Sequence, residues 1–225
     1  MKQISGSIVA LVTPFNEDGS VDHGRLRALV DWHIANGTDA ILTLGTTGET
    51  ASTTLEEDTE TLRTVLDQAH GRVPVIAGSG SNSSRMQMQK SVLYSEMGAD
   101  ALLCISPYYV KTNEEGMYRH FLMSADAASA PIILYNVPGR TGCKISPEVV
   151  RRLSTHPNVM GIKEASGDIA YVTAAARTSD YDPIIALLQN VWPTGHAPEN
   201  ARTADKTTKA VTEDDVNGGR SKSLA

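Results

Sequence analysis

Lys163 lies in the stretch VMGIKEASGD, residues 159–168, where a short apolar run from Val159 to Ile162 leads straight into an ammonium-bearing side chain. A strand buried on both faces stays apolar along its length. A lysine at its end therefore either snorkels to water or is held inside for chemistry. In a dry interior, desolvation favours the neutral amine, and a neutral amine is a nucleophile toward carbonyls. Two other stretches carry compatible groups. Gly45-Thr46-Thr47-Gly48-Glu49 offers two hydroxyls and exposed backbone N–H groups that can take a carboxylate. Tyr135-Asn136-Val137-Pro138-Gly139-Arg140-Thr141-Gly142 puts a phenol at a strand end and a guanidinium five residues on. A phenol at that depth can relay protons, and a guanidinium can grip a carboxylate bidentately. Taken singly, each stretch also reads plainly as a Gly-rich turn, a core tyrosine or a solvated arginine.

The elements around these stretches alternate between strand and helix. Residues 7–14 read as a first strand and His23–Ala35 as a helix with Leu26, Leu29, Val30 and His33 on one face. Ala40–Leu44 is the next strand, and a long acidic helix capped at Thr54 or its neighbour runs to His70. Val73–Ala77 and Ala101–Ile105 are strands three and four, with Ser83–Met97 between them as a helix. A helix from Glu114 to Ala128 precedes strand five, Pro131–Tyr135. A helix begins at Pro147, Val159–Lys163 is strand six, Asp168 caps a helix to Thr178, and Ile184–Leu188 reads as strand seven. Such units build a parallel sheet. No Gly-x-Gly-x-x-Gly follows the first strand, as an open dinucleotide fold would want. Thr46, Thr47, Tyr109, Tyr135, Arg140 and Lys163 instead fall at the C-terminal ends of successive strands, the end at which (β/α)8 TIM barrels place their chemistry. The fold class is therefore α/β, a (β/α)8 barrel truncated after strand six or seven. Residues 1–188 form the incomplete catalytic domain, and residues 189–225 form a polar tail without Ile, Phe, Met or Tyr that reads as disordered.

Composition narrows the function further. The chain has 225 residues, 40% of them apolar and 20% charged, and a net charge of −6 without a basic cluster. Nucleic acid and acidic membrane surfaces are poor partners for it, and no apolar run is long enough to span a bilayer. Cys104 and Cys143 stand in separate segments, which suits a reducing cytoplasm. The six histidines form no ligand-spaced pair, so no metal is expected.

Taken together, GTTGE, SPYY, YNVPGRTG and GIKEASGD match, in order and spacing, one known family. From about Gly6 to Leu188 the chain resembles the dihydrodipicolinate synthase and N-acetylneuraminate lyase family of Schiff-base aldolases. Thr47 and Arg140 point to the synthase branch. The resemblance implies that Lys163 forms an imine with pyruvate and that Tyr135 shuttles protons to and from the imine and its enamine. It implies that Thr46 links Tyr135 to Tyr109, which reaches into the site of a neighbouring subunit. Thr47, beside Gly48, would hold the pyruvate carboxylate, and Arg140 would guide the carboxylate of aspartate semialdehyde. The implied protein is a cytoplasmic homo-oligomer, dimer or tetramer, that needs no cofactor and serves lysine and diaminopimelate biosynthesis. A sialic acid or sugar-acid lyase and a truncated, non-catalytic barrel stand as alternatives. In lysine-regulated relatives the effector site involves the positions of Ala51, Asn82 and Tyr108. Met86 stands where those relatives carry a glutamate, and Leu55 and Asp58 stand where some carry histidines, so weak or absent feedback by lysine is expected.

Overall fold

The computed structural model describes residues 4–178. Its elements in order are β1 (Ile8–Ala10), α1 (His23–Ala35), β2 (Ala40–Thr43), a 3-10 turn (Thr46–Gly48), α2 (Leu55–Ala69), β3 (Val75–Gly78) and α3 (Ser84–Glu96). They continue with β4 (Ala101–Ile105), α4 (Glu114–Ala127), β5 (Ile132–Asn136), α5 (Pro138–Thr141), α6 (Pro147–Ser154), β6 (Val159–Glu164) and α7 (Ile169–Thr178). The six strands pair in parallel and in sequence order, β1 through β6. Parallel neighbours need a crossover, and a helix lies in each interval from β1 to β6.

Local chemistry sets the boundaries. Thr54 and Glu57 form a reciprocal capping box at the start of α2. Asp22, Ser83, Asn113 and Ser146 cap α1, α3, α4 and α6 by accepting from backbone N–H groups. β1 is shorter than its apolar run suggests, although Leu11 still donates to the Leu42 carbonyl. Proline lacks the N–H that a ladder requires, and β3 begins just after Pro74. The short α5 was not foreseen. Pro138 opens it and Gly142, at φ +68°, closes it. The expected seventh strand at Ile184–Leu188, the tail from Gln189 and the domain boundary between them lie outside the described residues.

The strands separate two apolar layers. One face, with Ile41, Val75, Leu102, Cys104, Ile132 and Leu134, packs against helix residues such as Leu26, Val30, Leu62, Phe121 and Leu153. The other face gathers Ala40, Leu42, Ile76, Ala101, Leu103, Ile133 and Tyr135 into a second cluster. Successive residues of β4 and β5 alternate between the two clusters, as the two-residue period of a strand requires. β2 and β3 approach closely at their exits. A Cβ on Gly78 would meet the Leu44 carbonyl oxygen at 2.0 Å, and Leu44 itself is held at φ +56°. That approach admits only glycine at 78 and places the GTTGE loop beside the end of β3.

Candidate active site

A single extra residue in β6 aims Lys163. Ile132 pairs with Val159, but Ile133 pairs with Gly161, so Met160 is a bulge. Val159 belongs to the helix-facing layer. Strict alternation from Val159 would send Lys163 to that same face. The bulge shifts the parity, so Gly161 falls opposite Ile133, Ile162 opposite Leu134 and Lys163 opposite Tyr135. Lys163 thus shares the inner face with Tyr135, whose ring centroid lies 4.5 Å from Nζ.

Burial then determines the chemistry of that amine. Lys163 is only 5% exposed. Desolvation brings its pKa down from the ordinary 10.5 to about 8. Near pH 7 this leaves roughly 300 times more neutral amine than an exposed lysine would carry. Burial likewise pushes the Tyr135 phenol up, while the nearby Thr46 hydroxyl and the charge of Arg140 pull it back. The amine, the phenol and the Thr46 hydroxyl therefore lie at the C-terminal ends of β6, β5 and β2, with Arg140 acting on the phenol through its charge from α5.

Asn136 and Glu164, next along from Tyr135 and Lys163, form a clamp that the sequence did not reveal. They pair in register on the opposite face, where both are essentially inaccessible. Asn136 Nδ2 donates to Glu164 Oε2 at 2.6 Å, and Asn136 Oδ1 accepts from the Ile145 backbone at 3.0 Å. Glu164 Oε1 accepts from the Ser166 N–H, and the Asn136 carbonyl accepts from Ala165. One side-chain pair thus ties together both chain segments that leave the site.

The remaining predicted residues are placed less centrally. Thr47 is exposed in the 3-10 turn. Gly48 is buried beneath that turn, where its carbonyl accepts from Thr13 Oγ1 at 2.7 Å. Arg140 is exposed on α5. Tyr109 is 92% exposed at φ +69°, a costly conformation for an aromatic residue. Within one chain its ring stands in solvent rather than against Tyr135. Its neighbour Tyr108 instead lines a cavity of about 310 Å³ that also takes in Thr46, Tyr135, Met86 and Lys90. Among the described residues no cluster of three His, Cys, Asp or Glu could hold a metal ion, and no helix is long and apolar enough to cross a membrane.

Residues 3–186 match the model of the dihydrodipicolinate synthetase family. The chain belongs to the dihydrodipicolinate synthetase family. It is 52% identical over 166 residues to the 4-hydroxy-tetrahydrodipicolinate synthase of Pseudomonas aeruginosa, covering 74% of this chain and 57% of that one. The Methylibium petroleiphilum enzyme of the same name is 52% identical over 169 residues, covering 75% and 58%. The chain thus spans less than two thirds of the length of these relatives. Among solved structures, the Aquifex aeolicus dihydrodipicolinate synthase superposes with a TM-score of 0.79 at 37% identity, over 82% of this chain and 63% of that one. The chloride-inhibited synthase of Acinetobacter baumannii, solved with pyruvate, gives 0.76 at 44% identity, over 78% and 60%. The six parallel strands described here are accordingly the successive strands of this family's barrel.

Proposed function

We infer that the chain carries a Schiff-base lyase centre that condenses pyruvate with aspartate 4-semialdehyde to 4-hydroxy-tetrahydrodipicolinate. The observation that carries this reading is the position of Lys163, buried, partly neutral near pH 7 and facing Tyr135. The relatives' shared name and the pyruvate bound to the A. baumannii synthase give the substrate class.

In this reading the Lys163 amine attacks the pyruvate keto carbon. Tyr135 protonates the oxygen, which leaves as water, and the imine forms. The iminium draws electrons from the methyl group, which loses a proton to become an enamine. The enamine carbon attacks the aldehyde carbon, and the new alkoxide takes a proton through Tyr135 and Thr46. The amine of the second substrate then attacks the imine carbon, closes the ring and expels Lys163. One water is released overall. Arg140, exposed on α5, receives the aldehyde's carboxylate, and Thr47 with the Gly48 segment receives that of pyruvate. Tyr109, held outward, serves a second copy of the chain in a homo-oligomer. The balance of these steps requires no cofactor, and the setting is cytoplasmic.

The test is a substrate panel on the purified chain. Condensation of pyruvate with aspartate semialdehyde, followed by coupled reduction of the product, should exceed cleavage of N-acetylneuraminate and of sugar acids. Turnover of a sugar acid with none of the semialdehyde would overturn the assignment.

A further inference from the structure

The turn that carries Thr46, Thr47 and Gly48 bridges two strand exits. Its entry end rests on the close approach of β2 and β3, where a Cβ on Gly78 would stand 3.1 Å from the Gly45 nitrogen. Its exit end rests on the segment that leaves β1. There the buried Thr13 donates from Oγ1 to the Gly48 carbonyl at 2.7 Å. We propose that Thr13 is a positioning residue whose hydroxyl sets how well this turn holds the carboxylate of a keto acid. The proposal rests on the reading in which Thr47 and the Gly48 segment receive the carboxylate of pyruvate.

The turn behaves as one unit, because it closes on itself. Gly48 N–H donates to the Gly45 carbonyl at 3.0 Å, and Glu49 N–H donates to the Thr46 carbonyl at 3.1 Å. Releasing one end therefore tilts the whole turn. The seat under the exit end is tight. A Cβ on Gly48 would meet the Leu11 carbonyl oxygen and Thr13 Oγ1, both at 3.1 Å, so bare backbone rests on the β1 exit. That exit is also rigid. Leu11 N–H donates to the Leu42 carbonyl at 2.8 Å, which ties it to β2. Pro14 biases Thr13 toward extended backbone. Beyond it Phe15 bridges to Val21, and Asp22 N–H donates to the Pro14 carbonyl at 2.8 Å.

Among the described residues, Thr13 is the one hydrogen-bond donor to the Gly48 carbonyl. A buried carbonyl that loses its donor keeps its desolvation penalty, and the turn relieves it by rotating that carbonyl toward water. Thr47, the next residue back, moves with it. Thr46, at the entry end, stays beside the Tyr135 phenol on which it acts. The loss therefore falls on the carboxylate of the ligand and spares the amine at Lys163. Thr13 acts through the turn and not on the substrate.

The test compares capture of two ketones at Lys163 of the full chain under cyanoborohydride, scored by peptide mass: pyruvate, and acetone, which has no carboxylate. Thr13→Val and Thr13→Ala both lose the hydroxyl, the first keeping the side-chain volume and the second losing it. Thr13→Ser keeps the hydroxyl. Both hydroxyl-free variants should need about fivefold more pyruvate, or higher, for half-maximal capture. Their limiting rate of pyruvate capture and their capture of acetone should match wild type, and Thr13→Ser should match it throughout. The proposal is overturned if neither hydroxyl-free variant needs more pyruvate, if only Thr13→Ala does, if acetone capture falls alongside, or if Thr13→Ser behaves as Thr13→Val. Failure of the underlying reading looks different: the wild type itself would capture acetone as readily as pyruvate.

Discussion

Replacing Lys163 with methionine separates the cost of holding the amine in the site from its chemistry. The folded chain releases the Lys163 proton at about 8, whereas an unfolded chain holds it to the ordinary 10.5. Between those values the unfolded state binds one more proton, so rising pH stabilises the folded wild type. Below about 8 the full cost is present, on the order of 3 kcal/mol. Above 10.5 it is gone. Methionine has a similar reach and no proton, so Lys163→Met should be more stable than wild type near neutral pH. That advantage should shrink by ~2 kcal/mol as the pH approaches 9.5. Urea unfolding of both proteins across this range measures it. The test is the slope of the difference, because packing changes around methionine shift both ends equally. Parallel stability curves for the two proteins would show that the folded chain tolerates the ammonium, and the argument from desolvation would fail.

Tyr135→Phe should lower kcat far more than it raises the KM for pyruvate, because a lost proton relay acts on transition states; a near-normal kcat would remove that role from the phenol. Asn136→Ala leaves the buried Glu164 without its side-chain partner and should cost about 2–4 kcal/mol in unfolding free energy. A loss below about 0.5 kcal/mol, typical of a surface change, would dismiss the clamp. L-lysine should inhibit weakly or not at all, since Met86 and Lys90 line the cavity wall and offer its side-chain ammonium no acid. Steady-state inhibition in the sub-millimolar range would contradict that.

Much of the frame was legible because local rules wrote it. His23–Ala35 is helical over the span its pattern indicates, and Thr54, read as a cap, opens α2. The residue types that gather at Lys163 were legible as well, since strand ends carry them in turn. The aim of Lys163 was not. The Met160 bulge leaves no trace in a run where every residue is apolar or glycine, yet it decides which face the lysine takes. Asn136 with Glu164 and Asp58 with Lys90 pair across 28 and 32 residues of sequence. Buried polar pairs of that kind have no local pattern, and only the packed strands and helices bring them together. Tyr109 shows the converse case: its motif was plain, yet the structure leaves its ring 92% exposed, away from Tyr135.

The central claim is that Lys163 is the amine that captures pyruvate. Incubation with pyruvate and borohydride, followed by intact mass and peptide mapping, tests it most directly. The account predicts one reduced adduct, located at Lys163, formed faster as pH rises toward about 8 and absent from Lys163→Ala. An adduct on another lysine, or one that persists at full yield in Lys163→Ala, would contradict it.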